Sequence, residues 1–183
     1  MEYEAIRNKE IAKPTSIFRS NIYNYYETKD EIFLDILKKE YLLWMEDMDW
    51  RMRNDKDMGR ESYCRILAET AGEHTRLLKL ISMHYIAIEK NCSLEKLTAF
   101  KCEIMPFWNM MRAALCRYFP NAQEESREHF LLSLLSLMPG LYSMTNLTEK
   151  QLEAMQKASP DYVKPDFEKN FSQALFMLSA ELM

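Results

Sequence analysis

Glycine is almost missing from this chain, with three residues in 183, and proline is sparse, with six. Tight turns draw on these two residues for backbone conformations that others resist, so their scarcity excludes an all-β architecture. Leu, Met, Glu, Lys and Ala are plentiful instead and favour helices, and the fold class expected is all-α. Also missing is the run of roughly 20 uninterrupted apolar residues that a membrane span needs. The best candidate, FLLSLLSLMPGLY at 130–142, is short and carries two serines, a proline and a glycine. No secretory signal is expected at the start, and the expectation is a cytoplasmic protein with no membrane partner. Cys64, Cys92, Cys102 and Cys116 lie far apart without CxxC spacing, which fits reduced thiols in a core better than a disulfide frame or a zinc site. None of His74, His84 and His129 has a glutamate three residues before it, so the Glu-x-x-His pairs of a metal-binding bundle are missing. No nucleophile elbow is present either. No metal, no cofactor and no enzymatic activity are therefore expected.

What is present is a chain 48% hydrophobic, enough for one good core and hardly for two. The net charge is −4 and is unevenly placed. Residues 5–29 hold five basic side chains (Arg7, Lys9, Lys13, Arg19, Lys29) against Glu10 and Glu27, whereas residues 30–183 are net acidic. A polyanion contact is expected at the N-terminal end. Short helices are expected over Arg7–Lys13 and Phe18–Tyr26, joined by a turn at Thr15-Ser16-Ile17. Thr28 with Glu31 three residues later reads as a capping box. It opens a helix to about Met52 with Phe33, Leu37, Tyr41, Trp44 and Met48 on one face. Further helices are expected from about Arg60, over His74–Met83, and from Leu94 to Phe119 with Leu97, Phe100, Ile104, Trp108, Met111 and Leu115 aligned. The pattern ends with an apolar helix at 123–145, a polar connection carrying Pro160 and Pro165, and a last helix striped by Phe167, Phe171, Leu175, Leu178 and Leu182.

Two short helices joined by a tight turn, the second bearing Arg, Ser, Asn and Tyr, make a helix-turn-helix whose second helix enters a major groove. Its polar side chains suit base edges, and tyrosine hydroxyls and a helix-start lysine suit phosphates. From Ile11 to Phe33 the run IAKPTSIFRSNIYNYYETKDEIF resembles the DNA-binding segment of the tetracycline-repressor-like (TetR) family of bacterial transcriptional regulators. Ile11-Ala12, Arg19, Ile22-Tyr23, Lys29 and Phe33 carry the resemblance without a gap. Ser16 stands where the family has a turn glycine, Phe18 where it has a capping Ser or Thr, and Tyr26 where it has Phe. Pro14 crowds the end of the preceding helix. Only ten residues precede Ile11, so the family's first helix is expected to be missing or incomplete in this chain.

The resemblance implies a DNA-binding unit over 1–29 and a helical regulatory and dimerisation domain over 30–183. Tyr23 and Lys29 are expected to hold phosphates, with Arg19, Ser20, Asn21 and Asn24 facing bases and Tyr25 and Thr28 completing the DNA-contacting set. The implied protein is a homodimeric repressor of duplex operator DNA, released by a small apolar or aromatic ligand. Phe130, Leu134, Met138 and Leu141 on one helix and Phe171, Leu175 and Leu178 on another are expected at the dimer interface. Pro106 and Pro139, each inside a helical pattern, are expected to kink their helices and open a pocket. Tyr63, His84, Phe107, Trp108, Met111, Met138 and Tyr142, with Tyr85 nearby, are expected to line it, and fourteen methionines suit a deformable cavity. The alternative function is a helical protein–protein interaction module that keeps a degenerate helix-turn-helix.

Overall fold

The computed structural model describes residues 25–183, the Tyr85 side chain excepted. The helix expected over Arg7–Lys13, the turn expected at 15–17 and all but the last two residues of the helix expected over Phe18–Tyr26 therefore lie outside the described residues; Tyr25 and Tyr26 are not helical. Among those described there are helices and no strand. Helix α1 spans Lys29–Arg53, α2 Arg60–Glu73, α3 Thr75–Met83, α4 Leu94–Glu103, α5 Met105–Tyr118, α6 Glu124–Thr145, α7 Glu149–Ala158 and α8 Phe167–Leu178. No single helix among them is long and apolar enough to cross a membrane.

Helix α1 is the axis of the bundle. Leu34, Leu37, Tyr41, Trp44, Met48 and Met52 recur at three- and four-residue steps and are all buried, so one stripe meets α2, α3, α4 and α5 in turn. The Trp44 indole donates to Thr70 Oγ1 at 3.0 Å, and that hydroxyl donates to the Ile66 carbonyl at 2.7 Å. The buried ring nitrogen is thus satisfied without opening the core. At the far end of α1, Asp55 accepts hydrogen bonds from Ser62 Oγ (2.6 Å) and the Tyr118 hydroxyl (2.7 Å), tying α1, α2 and α5 together. Helix α8 lies along α2 and also meets α6. At Gly72 the Glu168 side chain of α8 folds over the place a Cβ would occupy.

Three sequence expectations are corrected. The helix expected over Leu94–Phe119 is two, α4 and α5, because the chain breaks at Ile104, which closes one and opens the next. Pro106 consequently kinks nothing; it occupies the first turn of α5, where its missing N–H has no partner to lose. The polar connection after residue 145 contains α7, which has no buried residue. No apolar stripe announces it, and its end is fixed by the reciprocal Thr148–Gln151 capping box. Pro139, by contrast, lies inside α6 as expected.

Beyond Met83 the helical path widens into a single i→i+5 turn over His84–Ile88, in which the Glu89 N–H donates to the His84 carbonyl. A 3₁₀ turn, Glu89–Asn91, follows and delivers the chain to Ser93, the N-cap of α4.

Candidate functional site

The N-terminal end of α1 is where the described structure meets the expected DNA-binding residues. Tyr25 is 73% exposed. The Tyr26 hydroxyl donates to Asp35 Oδ2 at 2.6 Å, which pushes its pKa up to about 12, and the Lys96 ammonium sits 5.0 Å from the ring centre. Thr28 caps α1 by accepting from the Glu31 N–H at 3.2 Å, and its own hydroxyl donates to the Asn91 carbonyl at 3.3 Å. Lys29 is the first residue of the helix. Arg19, Ser20, Asn21, Tyr23 and Asn24 lie outside the described residues.

Asp30 and Glu31, both buried, occupy the first turn of α1, where the partial positive charge of a helix N-terminus favours carboxylates. Glu31 completes the capping box one residue away from the usual place, since its Oε2 accepts from the Glu27 N–H at 2.8 Å. Its Oε1 accepts from the N–H (3.2 Å) and the hydroxyl (2.8 Å) of Ser93. Burial raises the Glu31 pKa, and the hydrogen bonds from Ser93 and Glu27 more than offset it, leaving the carboxyl below its usual range. Sequence spacing pointed to the cap but not to Ser93, which lies 62 residues away in the chain.

Five of the seven expected ligand-binding residues, Tyr63, His84, Phe107, Trp108 and Tyr142, fall into three aromatic groups among the described residues. His84 packs edge-on to Tyr41 and Phe100, and Phe107 meets Tyr41, Trp44 and Trp108. Tyr63 lies among Tyr118, Phe119 and Phe130. Tyr142 abuts Phe167, which stacks on Phe171. Tyr63, Phe107, Met111 and Met138 are wholly buried among the core side chains. Trp108 lines a cleft of about 280 Å³ with Met105, Arg112, Glu128, Leu131 and Leu132. Arg112 and Glu128 close one side through two hydrogen bonds of 2.6 and 2.9 Å. Tyr142 contributes to a separate cleft of about 340 Å³ between α3, α6 and the start of α8.

Two buried polar groups stand out in these clusters. The Tyr63 hydroxyl has no hydrogen-bond partner among the described residues, and burial pushes its pKa upward. The His84 ring is 1% exposed, with Nε2 2.7 Å from Glu89 Oε1, and Glu89 also pairs with Lys101. Burial outweighs the carboxylate and pushes the imidazole down to about 4. Among the described residues no group of three or more His, Cys, Asp or Glu side chains is placed to hold a metal ion.

Residues 38–180 match the family described as tetracyclin repressor-like, C-terminal domain. The chain belongs to that family. No curated protein sequence matches it. The match covers α2 to α8 and about the last two thirds of α1, so the all-helical bundle is the C-terminal domain of a tetracyclin repressor-like regulator.

Within that domain, five of the seven residues expected at a dimer interface are committed elsewhere. Phe130, Leu134, Met138, Phe171 and Leu175 are each 3% exposed or less and pack inside the chain's own core. Leu141 and Leu178 are half-buried at its edge. A buried stripe on α6 and α8 is covered by neighbouring helices of the same chain, and a second chain would meet their outward residues. Those include Leu132 and Met144 on α6 and Met177 on α8, all at least 67% exposed.

Proposed function

We propose that this protein is a homodimeric, sequence-specific transcriptional repressor of the tetracyclin repressor-like type, working in the cytoplasm and without enzymatic activity. Residues 1–29 form its DNA-binding unit and residues 30–183 its regulatory and dimerisation domain. The observation that carries this reading is the pairing of a family match over 38–180 with the helix-turn-helix pattern of residues 11–33, which runs without a gap into the lysine that opens α1. Tyr23 and Lys29 contact phosphates, Arg19, Ser20, Asn21 and Asn24 face bases, and Tyr25 and Thr28 flank them. Dimers form through the outward faces of α6 and α8, so that two recognition helices sit about one DNA turn, roughly 34 Å, apart. The effector is a small apolar or aromatic molecule, and the cleft beside Trp108 suits its entry because an indole and three aliphatic side chains surround a closed ion pair.

Binding of duplex DNA across a salt series tests this reading. The wild type is expected to bind duplex DNA as a dimer near twice 21.9 kDa. Lys29→Ala is expected to weaken all sequences alike and to flatten the salt slope by about one unit. Asn21→Ala should instead change sequence preference, at roughly 1–3 kcal/mol per lost base contact. A protein that binds no duplex DNA at any salt concentration refutes the proposal and leaves the interaction module.

A further inference from the structure

The chain leaves residues 1–24 and enters the bundle through a junction that is held more tightly than a linker needs. Four contacts converge on it from outside α1. The Thr28 hydroxyl donates to the Asn91 carbonyl. Lys96 lies over the Tyr26 ring. The Ser93 N–H and hydroxyl both donate to Glu31. All four come from the short stretch Asn91–Lys96, which opens α4. Glu31 is the centre of this clasp: at 1% exposure, one carboxylate oxygen holds the Glu27 N–H, upstream of the helix, and the other holds Ser93. An isolated α1 needs only the first of these to be capped. The second fixes the direction of α1's N-terminal end relative to α4.

We infer that Glu31 is a positioning residue for DNA recognition: through Ser93 it sets the angle at which the N-terminal unit leaves the regulatory bundle, and so the half-site spacing that a dimer accepts. This rests on the proposed reading as a DNA-binding dimer. Helix α1 is about 25 residues long, and at about 1.5 Å per residue a tilt of a few degrees moves its end by ångströms. Loosening the clasp therefore broadens the range of spacings bound without touching any base contact. Replacing the donating hydroxyl of Ser93 by a second carboxylate is enough, because two acceptors repel.

The test uses the full chain and a duplex enriched by the wild type from a random-sequence library, together with versions carrying one or two base pairs inserted at its centre. Ser93→Asp keeps a good N-cap on α4 but sets a second carboxylate against Glu31. It is expected to reduce the wild type's preference for the selected spacing at least fivefold and to speed hydrogen exchange at the Glu27 amide about tenfold, with dimer mass unchanged. Adding Glu31→Gln restores a donor–acceptor pair across the junction and should recover most of the spacing preference, which a role confined to capping α4 would not do. Glu31→Gln alone gives a second, milder variant, expected to relax spacing preference two- to threefold. If the wild type binds DNA with a clear spacing preference and Ser93→Asp keeps that preference while speeding exchange, the clasp is only a structural cap and the inference fails. If the wild type binds no DNA, the functional reading itself fails and takes the inference with it.

Discussion

Lowering the pH from 7 to 5 should destabilise this protein chiefly through His84, and the size of the effect follows from where the ring sits. Its pKa is pushed down to about 4 by burial against about 6.5 in an unfolded chain. The unfolded state therefore binds the proton first. Stability is complete above about pH 6.5 and is lost as the pH falls from there toward 4. At about 1.4 kcal/mol per pKa unit, the loss between pH 7 and 5 comes to roughly 2 kcal/mol, with little discount for solvent because the ring is 1% exposed. Glu89, at 2.7 Å from Nε2, limits the loss but is shared with Lys101. Urea unfolding followed by circular dichroism at fixed protein concentration measures it. For an m-value of roughly 2 kcal/mol per molar, the wild-type midpoint should fall by about 1 M more than that of His84→Gln, which has nothing to protonate at this position. Equal falls in the two proteins would mean that burial does not lower the imidazole's pKa, and the account of the His84–Glu89 pair would be wrong.

Other outcomes are simpler to measure. Tyr63→Phe removes a buried hydroxyl that has no partner among the described residues and should raise stability by about 1 kcal/mol in thermal or urea unfolding; a loss of that size would reveal a bound water. Gly72→Ala should be close to neutral, because the atoms it meets belong to the mobile end of Glu168, and paired with Glu168→Ala it should stabilise by up to about 1 kcal/mol. Leu175→Glu should unfold the chain, since Leu175 is wholly buried, whereas Met177→Glu on the outward face of α8 should turn dimer to monomer in light scattering with circular dichroism unchanged.

The long helix α1 was legible because its cap and stripe agree: Thr28 and Glu31 mark the start, and Leu37, Tyr41, Trp44 and Met48 are buried in the expected order. Legibility fell wherever a local pattern leaves a choice of partner. The apolar stripe from Leu97 to Leu115 continues through Ile104, although the backbone breaks there, because burial sets the stripe while the hydrogen-bond ladder sets the helix. Phe130, Leu134, Met138, Phe171 and Leu175 were recognisable as covered side chains, but periodicity does not say whether the cover is the same chain or another. The grouping of the expected ligand-binding rings was hidden for a related reason: aromatic rings spaced along different helices all read alike, and only tertiary packing sorts them into the His84, Tyr63 and Tyr142 groups. Helix α7 was invisible to a search for buried faces because it has none, although Thr148 and Gln151 carried its signature.

The wide turn at His84–Ile88 bears on how this chain would be counted against one with an unbroken helix there. Each residue of an α-helix advances the phase by about 100°, so one additional residue held in an i→i+5 turn rotates everything after it by more than a quarter of a circle. Ser93 reaches Glu31 after this turn and the 3₁₀ turn Glu89–Asn91 that follows it. In a relative with an unbroken α-helix over the same stretch, a column-by-column alignment without a gap would set the wrong side chain opposite the glutamate. Equivalence across this part of the family is therefore a matter of angular position, and a single-residue insertion or deletion between 84 and 88 would change the contact that closes the junction while leaving every residue that makes it in place.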